Sequence, residues 1–121
     1  MIKALPGFPD DVLAFEASGQ VSASDYETVL MPAVEAALEK HDRLRMLYSF
    51  AAGFSGFDMG AMWDDARVGF SHFNRWERIA VVTDLEWLKL SVQGMGFLMP
   101  SAVRVFGRDH FEQAKRWVTE A

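Results

Sequence analysis

The sequence predicts an α/β fold: a four- to five-stranded, mostly parallel sheet covered by about four helices. Three observations predict it. Residues 78–87, Arg-Ile-Ala-Val-Val-Thr-Asp-Leu-Glu-Trp, are a β-branched apolar run that ends in Thr83-Asp84 and passes at once into a helical pattern, as a buried strand feeding a helix does. Strand and helix patterns alternate in the order β-β-α-β-α-β-α-β-α, which after the first strand implies parallel pairing through right-handed crossovers. At 121 residues, 50% apolar and 24% charged, the chain fits one domain over residues 1–121 with one core.

The elements follow in order. Residues 2–5 form a short strand, expected antiparallel, and Val12–Ala17 a second, with Pro6-Gly7 and Pro9-Asp10-Asp11 turning between them. Ser24-Asp25-Tyr26-Glu27 has the Ser-x-x-Glu form of a capping box and opens a helix with Tyr26, Leu30, Ala33 and Ala37 on one face. Pro32 lies inside that helix and should kink it, and His41 falls near its C-terminus. Arg45–Phe50 is a strand and Ala51–Gly56 a loop. Asp58 caps a second helix whose inner face is Met59, Met62, Trp63, Ala66, Phe70 and Phe73. Ile79–Thr83 is a strand, and Asp84 caps a third helix running to about Phe97. Ala102–Phe106 alternates around Arg104 as a strand nearer the sheet edge. Gly107 then turns the chain into a last helix, which Asp109 and Glu112 open as a second capping box and which points Phe111, Ala114 and Val118 inward.

Charge and composition narrow the function. A net charge of −5 argues against nucleic acid as a partner and against adhesion to anionic lipid by charge alone. The chain has no cysteine, hence no disulfide, thiolate metal site or cysteine nucleophile, in keeping with a cytoplasmic protein. No signal peptide is expected at the N-terminus, and no segment reaches the roughly 20 apolar residues of a membrane span. His41, His72 and His110 are scattered, and Asp64 and Asp65 lie about 100° apart on a helix, so that pair reads as a solvated face and no metal is expected. Phe54-Ser55-Gly56 is only half of a nucleophile elbow, and no Gly-rich phosphate loop occurs. No catalytic residue and no cofactor is expected, so the chain does not read as an enzyme. Arg78 is expected to pair with Glu77 or Glu86.

The third helix carries the functional clue. Glu86, Lys89 and Gln93 cluster within roughly 60° of arc, and nearly everything else on it is apolar, an arc of roughly 240° where one-sided packing needs only about 100–140°. Residues 90–103 hold no charge, and Gly94 and Gly96 weaken the helix end. Such an end is suited to a hinged lid over residues 94–101. The second apolar contact is with a small apolar ligand, a membrane surface, a homodimer mate or the neighbouring helix. The candidate ligand-binding residues are Phe54, Phe57, Met62, Trp63, Phe70, Trp87, Met95, Phe97, Leu98 and Met99. They line a cleft between the second and third helices, at the carboxyl ends of the strands where α/β sheets bind ligands.

Asp25-Tyr26-Glu27, Trp63-Asp64-Asp65, the run Arg78–Asp84 with Trp87, and Val103-Arg104-Val105-Phe106 followed by Ala114 and Trp117 resemble, in order and spacing, the SpoIIAA-like proteins, a bacterial family related to STAS domains. The resemblance covers about residue 8 to residue 119. It implies a four- or five-stranded sheet with helices on one side. It also implies a link to small apolar ligands or membrane surfaces, since the family looks like a reduced relative of the CRAL-TRIO fold. Anti-anti-sigma factors of the related type carry a phosphorylated serine at the start of the second helix. Ser55 is the candidate phosphorylation site there, but Gly53-Phe54-Ser55-Gly56-Phe57-Asp58 departs from their motif. The reading is a cytoplasmic domain, peripheral to the membrane at most, that binds an apolar or lipid-like ligand or a membrane. The rival reading is a protein–protein module or homodimer using the third helix, phospho-switched at Ser55.

Overall fold

The computed structural model describes residues 1–71, 74–96 and 102–120, without the side chains of residues 65, 66, 68–71, 95 and 96. The elements in chain order are β1 (Ile2–Ala4), β2 (Val12–Ala17), β3 (Gln20–Val21), α1 (Ala23–Asp25), a π-helical turn (Tyr26–Leu30) and α2 (Met31–Lys40). β4 (Leu44–Phe50), β5 (Gly56–Phe57), α3 (Met59–Ser71), β6 (Trp76–Val82) and α4 (Glu86–Gly96) follow. β7 (Ala102–Phe106), a 3₁₀ turn (Arg108–His110) and α5 (Phe111–Thr119) complete the order.

The five long-range strands form one sheet in the order β1-β2-β4-β6-β7. β1 runs antiparallel to β2, with Ile2 opposite Ala17, and every other pair in that sheet is parallel. This is the expected mostly parallel sheet with an antiparallel start, and β7 lies at its edge as expected. The pattern did not foretell the parallel pair β3–β5, because two residues are too few to show a period. That pair fastens the chain ahead of α1 to the chain ahead of α3, helped by Asp58 N–H donating to the Val21 carbonyl at 2.9 Å.

Strand side chains alternate between two cores. Phe15, Ala17, Leu44, Met46, Tyr48, Phe50 and Val81 meet Tyr26, Leu30, Val34, Ala37, Ala61 and Leu88 from the π-helical turn, α2, α3 and α4. Val12, Ala14, Leu47, Ala80 and Val82 point the other way, onto Ala114 and Val118 of α5. The expectation of helices on one side is therefore corrected. The sheet is apolar on both faces, as parallel sheets are, and the last helix covers the second face.

The first helix is capped two residues earlier than expected. Ser22, not Ser24, is the cap. Its Oγ accepts the Asp25 N–H at 3.2 Å, and Asp25 Oδ2 accepts the Ser22 N–H at 2.8 Å. The Ser22 N–H bond foremost, then the Ser22 hydroxyl donating to Asp25 Oδ2 at 3.1 Å and the nearby N-terminal ammonium, hold the Asp25 carboxyl below the usual carboxylate range, with burial opposing them. Pro32 acts as a π-bulge rather than a simple kink. Its ring cannot accept a carbonyl four residues back, and the preceding turn opens so that Met31 N–H reaches the Tyr26 carbonyl. The bulge shifts the phase of the buried face, which takes Val34 in place of Ala33.

Two other capping expectations also change. Asp84 Oδ1 accepts the Arg108 N–H at 3.0 Å and so holds the turn after β7, while Thr83 Oγ1 serves Leu85 N–H ahead of α4. Asp109 and Glu112 form no box: α5 starts after a 3₁₀ turn, with His110 at its cap and no side-chain cap bond. The helix is held from its other end. Arg45 Nη1 donates to the Val118 carbonyl at 3.2 Å and also to that of Glu120, and Arg78 Nη1 donates to the Trp117 carbonyl at 2.7 Å. Cations on free C-terminal carbonyls suit the helix dipole. Arg78 pairs with Glu120 at 3.3 Å rather than with Glu77 or Glu86, because Glu77 is taken by Arg45 at 2.6 Å. Arg75 caps α2 likewise, donating to the His41 carbonyl at 2.9 Å.

Candidate functional site

At the carboxyl end of β4 the chain builds an aromatic cluster. The rings of Phe50 and Phe54 stand 4.8 Å apart, Phe54 and Phe57 5.1 Å, and Tyr26 and Phe57 6.4 Å, all edge to face. Tyr48 stacks on Phe50 at 4.5 Å. Beneath them the buried hydroxyls of Tyr26 and Tyr48 lie 3.0 Å apart, a bond worth about 1 kcal/mol. Phe54 is buried and stacks outward on Trp87, at 6.3 Å and 25°. Phe54, Phe57 and Trp87, three of the candidate residues, thus belong to one cluster.

α3 is turned the other way from expectation. Ala61 is fully buried, and a Cβ on Gly60 would stand 2.8 Å from the Ala23 Cβ. α1 and α3 therefore touch closely at Ala23 and Gly60, where only Gly fits at position 60 without a shift. Asp64, one turn on from Ala61, is carried inward with them. It is 3% exposed, its Oδ1 stands 3.7 Å from Arg67 Nη1, and its Oδ2 has no hydrogen-bond partner among the described residues. The solvated reading of Asp64 is therefore corrected. The large residues face out: Met59 is 87% exposed, Met62 60% and Trp63 68%. The adjacent small pair Gly60-Ala61 was the signal for this orientation.

α4 divides as its wide apolar arc suggested. Leu88 is buried, with Leu85 and Val92 packed against the core, while Trp87 (50% exposed) and Leu90 (66%) face solvent. Lys89 pairs with Glu86 across one turn at 3.7 Å. The side chains of Phe70 and Met95, together with Phe97, Leu98 and Met99, lie outside the described residues, as does most of the lid segment 94–101. Ser55 is exposed and donates its N–H to the Gly19 carbonyl at 2.9 Å. The α3 N-terminus nearby already holds an anion, since Asp58 Oδ1 accepts the Ala61 N–H at 2.7 Å as expected of its cap. No described helix is long and apolar enough to cross a membrane.

The fold and this surface define a small α/β domain whose two crossover helices carry large apolar side chains to solvent. The SpoIIAA-like family model matches residues 12–119, and the chain belongs to that family. Among solved structures, the chain is similar to an uncharacterised protein of the DUF3478 family with a SpoIIAA-like fold from Shewanella loihica PV-4. The identity is 24%, the TM-score 0.75, and the match covers 98% of this chain and 92% of the other. At that identity the likeness establishes the fold alone. No curated protein matches the sequence.

Proposed function

We propose that the protein is a non-enzymatic binding domain that takes an apolar, lipid-like ligand or a membrane surface on the outer faces of α3 and α4. The observation that carries this reading is the exposure of Met59, Met62, Trp63, Trp87 and Leu90 on two successive crossover helices. Large exposed apolar groups of this kind mark contact surfaces, and Trp is enriched where one side of a contact is apolar and the other wet. The cluster behind them supports the reading. Phe54 backs Trp87 and would hold that indole in place as lipid replaces water. Because Met62 and Trp63 point to solvent, the reading favours a surface that inserts or is covered over a deep enclosed cavity.

Two measurements test it. Native mass spectrometry of the purified protein reads any apolar molecule that travels with it. Titration with phosphatidylcholine vesicles carrying brominated acyl chains then reads tryptophan quenching. Quenching in the parent that is reduced by Trp63→Ser and by Leu90→Asp supports the proposal. With a net charge of −5, phosphatidylglycerol in the vesicles should weaken the binding or leave it unchanged. A clean dimer with nothing bound and no quenching would overturn the proposal in favour of an interaction module.

A further inference from the structure

The two edges of the sheet are unlike. β1 is three residues long, and its Lys3 pairs with Glu16 of β2 at 3.5 Å, a charged edge of the sort that resists further pairing. β7 reads Ala-Val-Arg-Val-Phe, with β-forming Val103, Val105 and Phe106, and among the described residues only β6 pairs with it. The Phe106 carbonyl accepts the Thr83 N–H at 2.9 Å. By the alternation of a strand, Ala102, Arg104 and Phe106 therefore direct their backbone groups to β6. Val103 and Val105 direct theirs away from the sheet, where no described strand receives them.

Arg104 stands between those two residues. Its guanidinium lies over the Phe106 ring at 5.1 Å and over the Trp117 ring at 5.3 Å. It is exposed, and no described residue gives it a hydrogen bond or an ion pair. Arg45, Arg75 and Arg78, by contrast, all bind carbonyls. Two rings thus hold an uncommitted fork of donors beside an uncommitted strand edge, an arrangement suited to a carboxylate.

We infer that β7 is a docking edge for an extended acidic segment of a partner protein, which adds a strand beside it and sets an Asp or Glu opposite Arg104. Charge decides against a second copy of this chain. Two copies pairing antiparallel, Val103 to Val105 of the other, use all the outward backbone groups but set Arg104 directly against its own image. Cα atoms there are about 4.5 Å apart, where like charges oppose pairing. An acidic residue in that place reverses the sign. Main-chain bonds provide the attachment, and the guanidinium chooses the partner.

The test uses two capped pentapeptides, Thr-Val-Glu-Val-Thr and Thr-Val-Lys-Val-Thr, at millimolar concentration against the whole chain, read by amide hydrogen exchange of Val103 and Val105. The glutamate peptide should slow both amides and bind about tenfold tighter than the lysine peptide. In Arg104→Glu the preference should invert, and Arg104→Gln, which keeps a similar shape, should abolish it. Val103→Pro removes one outward donor and no ladder bond, so it should weaken binding in a folded protein. The inference falls if neither peptide slows these amides, or if both bind equally. It falls equally if the amides are already protected in a dimer of the free protein, which would give the edge to a second copy. None of these outcomes bears on the α3–α4 surface.

Discussion

The helical layers on the two faces of the sheet use their side chains in opposite ways. α5 has spent its apolar side: Ala114 and Val118 are fully buried, Phe111 packs beside them, and its C-terminal carbonyls are held by Arg45 and Arg78. Among the described side chains, α3 and α4 turn Ala61, Leu88 and Val92 inward and leave methionine, leucine and tryptophan outside. An amphipathic helix normally shows its polar side to water. Where two helices instead show large apolar side chains, packing among the described residues leaves those side chains uncovered, and the proposed contact surface rests on that. The contrast teaches that α5 is committed to packing, while the α3–α4 face keeps the exposed apolar groups on which the proposed function rests.

The largest effect should come from breaking that cover. Arg45→Ala removes the guanidinium that joins Glu77 on β6 to the end of α5, and it leaves partly buried acceptors without a donor. A loss of about 2–3 kcal/mol is expected in urea unfolding, with an unchanged slope. A loss below about 0.5 kcal/mol would mean that the apolar contacts alone hold α5, and that the two layers differ less than described. Next comes the inner seam of the other layer. Gly60→Ala sets a methyl group 2.8 Å from the Ala23 Cβ, so α3 must shift away from α1. The clash is worth about 1–3 kcal/mol and the gain in helix propensity about 1 kcal/mol, so a net loss of about 1 kcal/mol is expected from thermal unfolding. A stabilised Gly60→Ala protein would show the seam to be loose.

The sheet was legible in the sequence because its cues are local. The apolar run at residues 79–83 and the alternation around Arg104 each need only a few residues to show. The same holds for the Asp58 cap, which forms as expected. Two cues misled. Ser24 and Glu27 fit a capping box as well as Ser22 and Asp25 do, and only the position of β3 decides between them. Pro32 announces a disturbance in the helix but not its form, so the shift of one residue to Val34 could not be read. The orientation of α3 was misjudged for a physical reason. Large apolar residues at helical spacing are usually core, yet here Ala61 takes the inside and the exposed Gly60 lets α3 approach Ala23 of α1. Of the candidate residues, Phe54, Phe57 and Trp87 meet in one cluster, their closeness legible from the loop after β4 and the start of α4, while Met62 and Trp63 are turned outward.

A smaller effect belongs to the cap that starts the α1–α3 side. Asp25→Asn weakens the bonds that the carboxylate accepts from the Ser22 N–H and hydroxyl and should cost about 0.5–1 kcal/mol at neutral pH. The carboxyl titrates lower in the folded chain than in the unfolded one. Its contribution is therefore complete above the ordinary carboxylate range and fades as pH falls through the folded value. The gap between parent and variant should accordingly narrow on acidification, as measured by urea midpoints between pH 7 and the acid limit of folding. A gap that widens toward low pH would contradict the assignment of the capping bond.

The smallest effect on stability should be the most informative about the contrast between the layers. Trp63→Ser removes the largest side chain on α3, yet that side chain is more than half exposed and makes no described ring contact. Surface substitutions of this kind stay within about 0.5 kcal/mol of the parent. A tryptophan kept at no benefit to folding is most simply kept for a contact, so unchanged stability together with lost vesicle quenching would separate the two roles at one residue. A loss of about 3 kcal/mol, the usual range for a core tryptophan, would instead return Trp63 to the packing of the domain. The α3 face would then resemble the α5 face, and the case for a contact surface would rest on α4 alone, through Trp87 and Leu90.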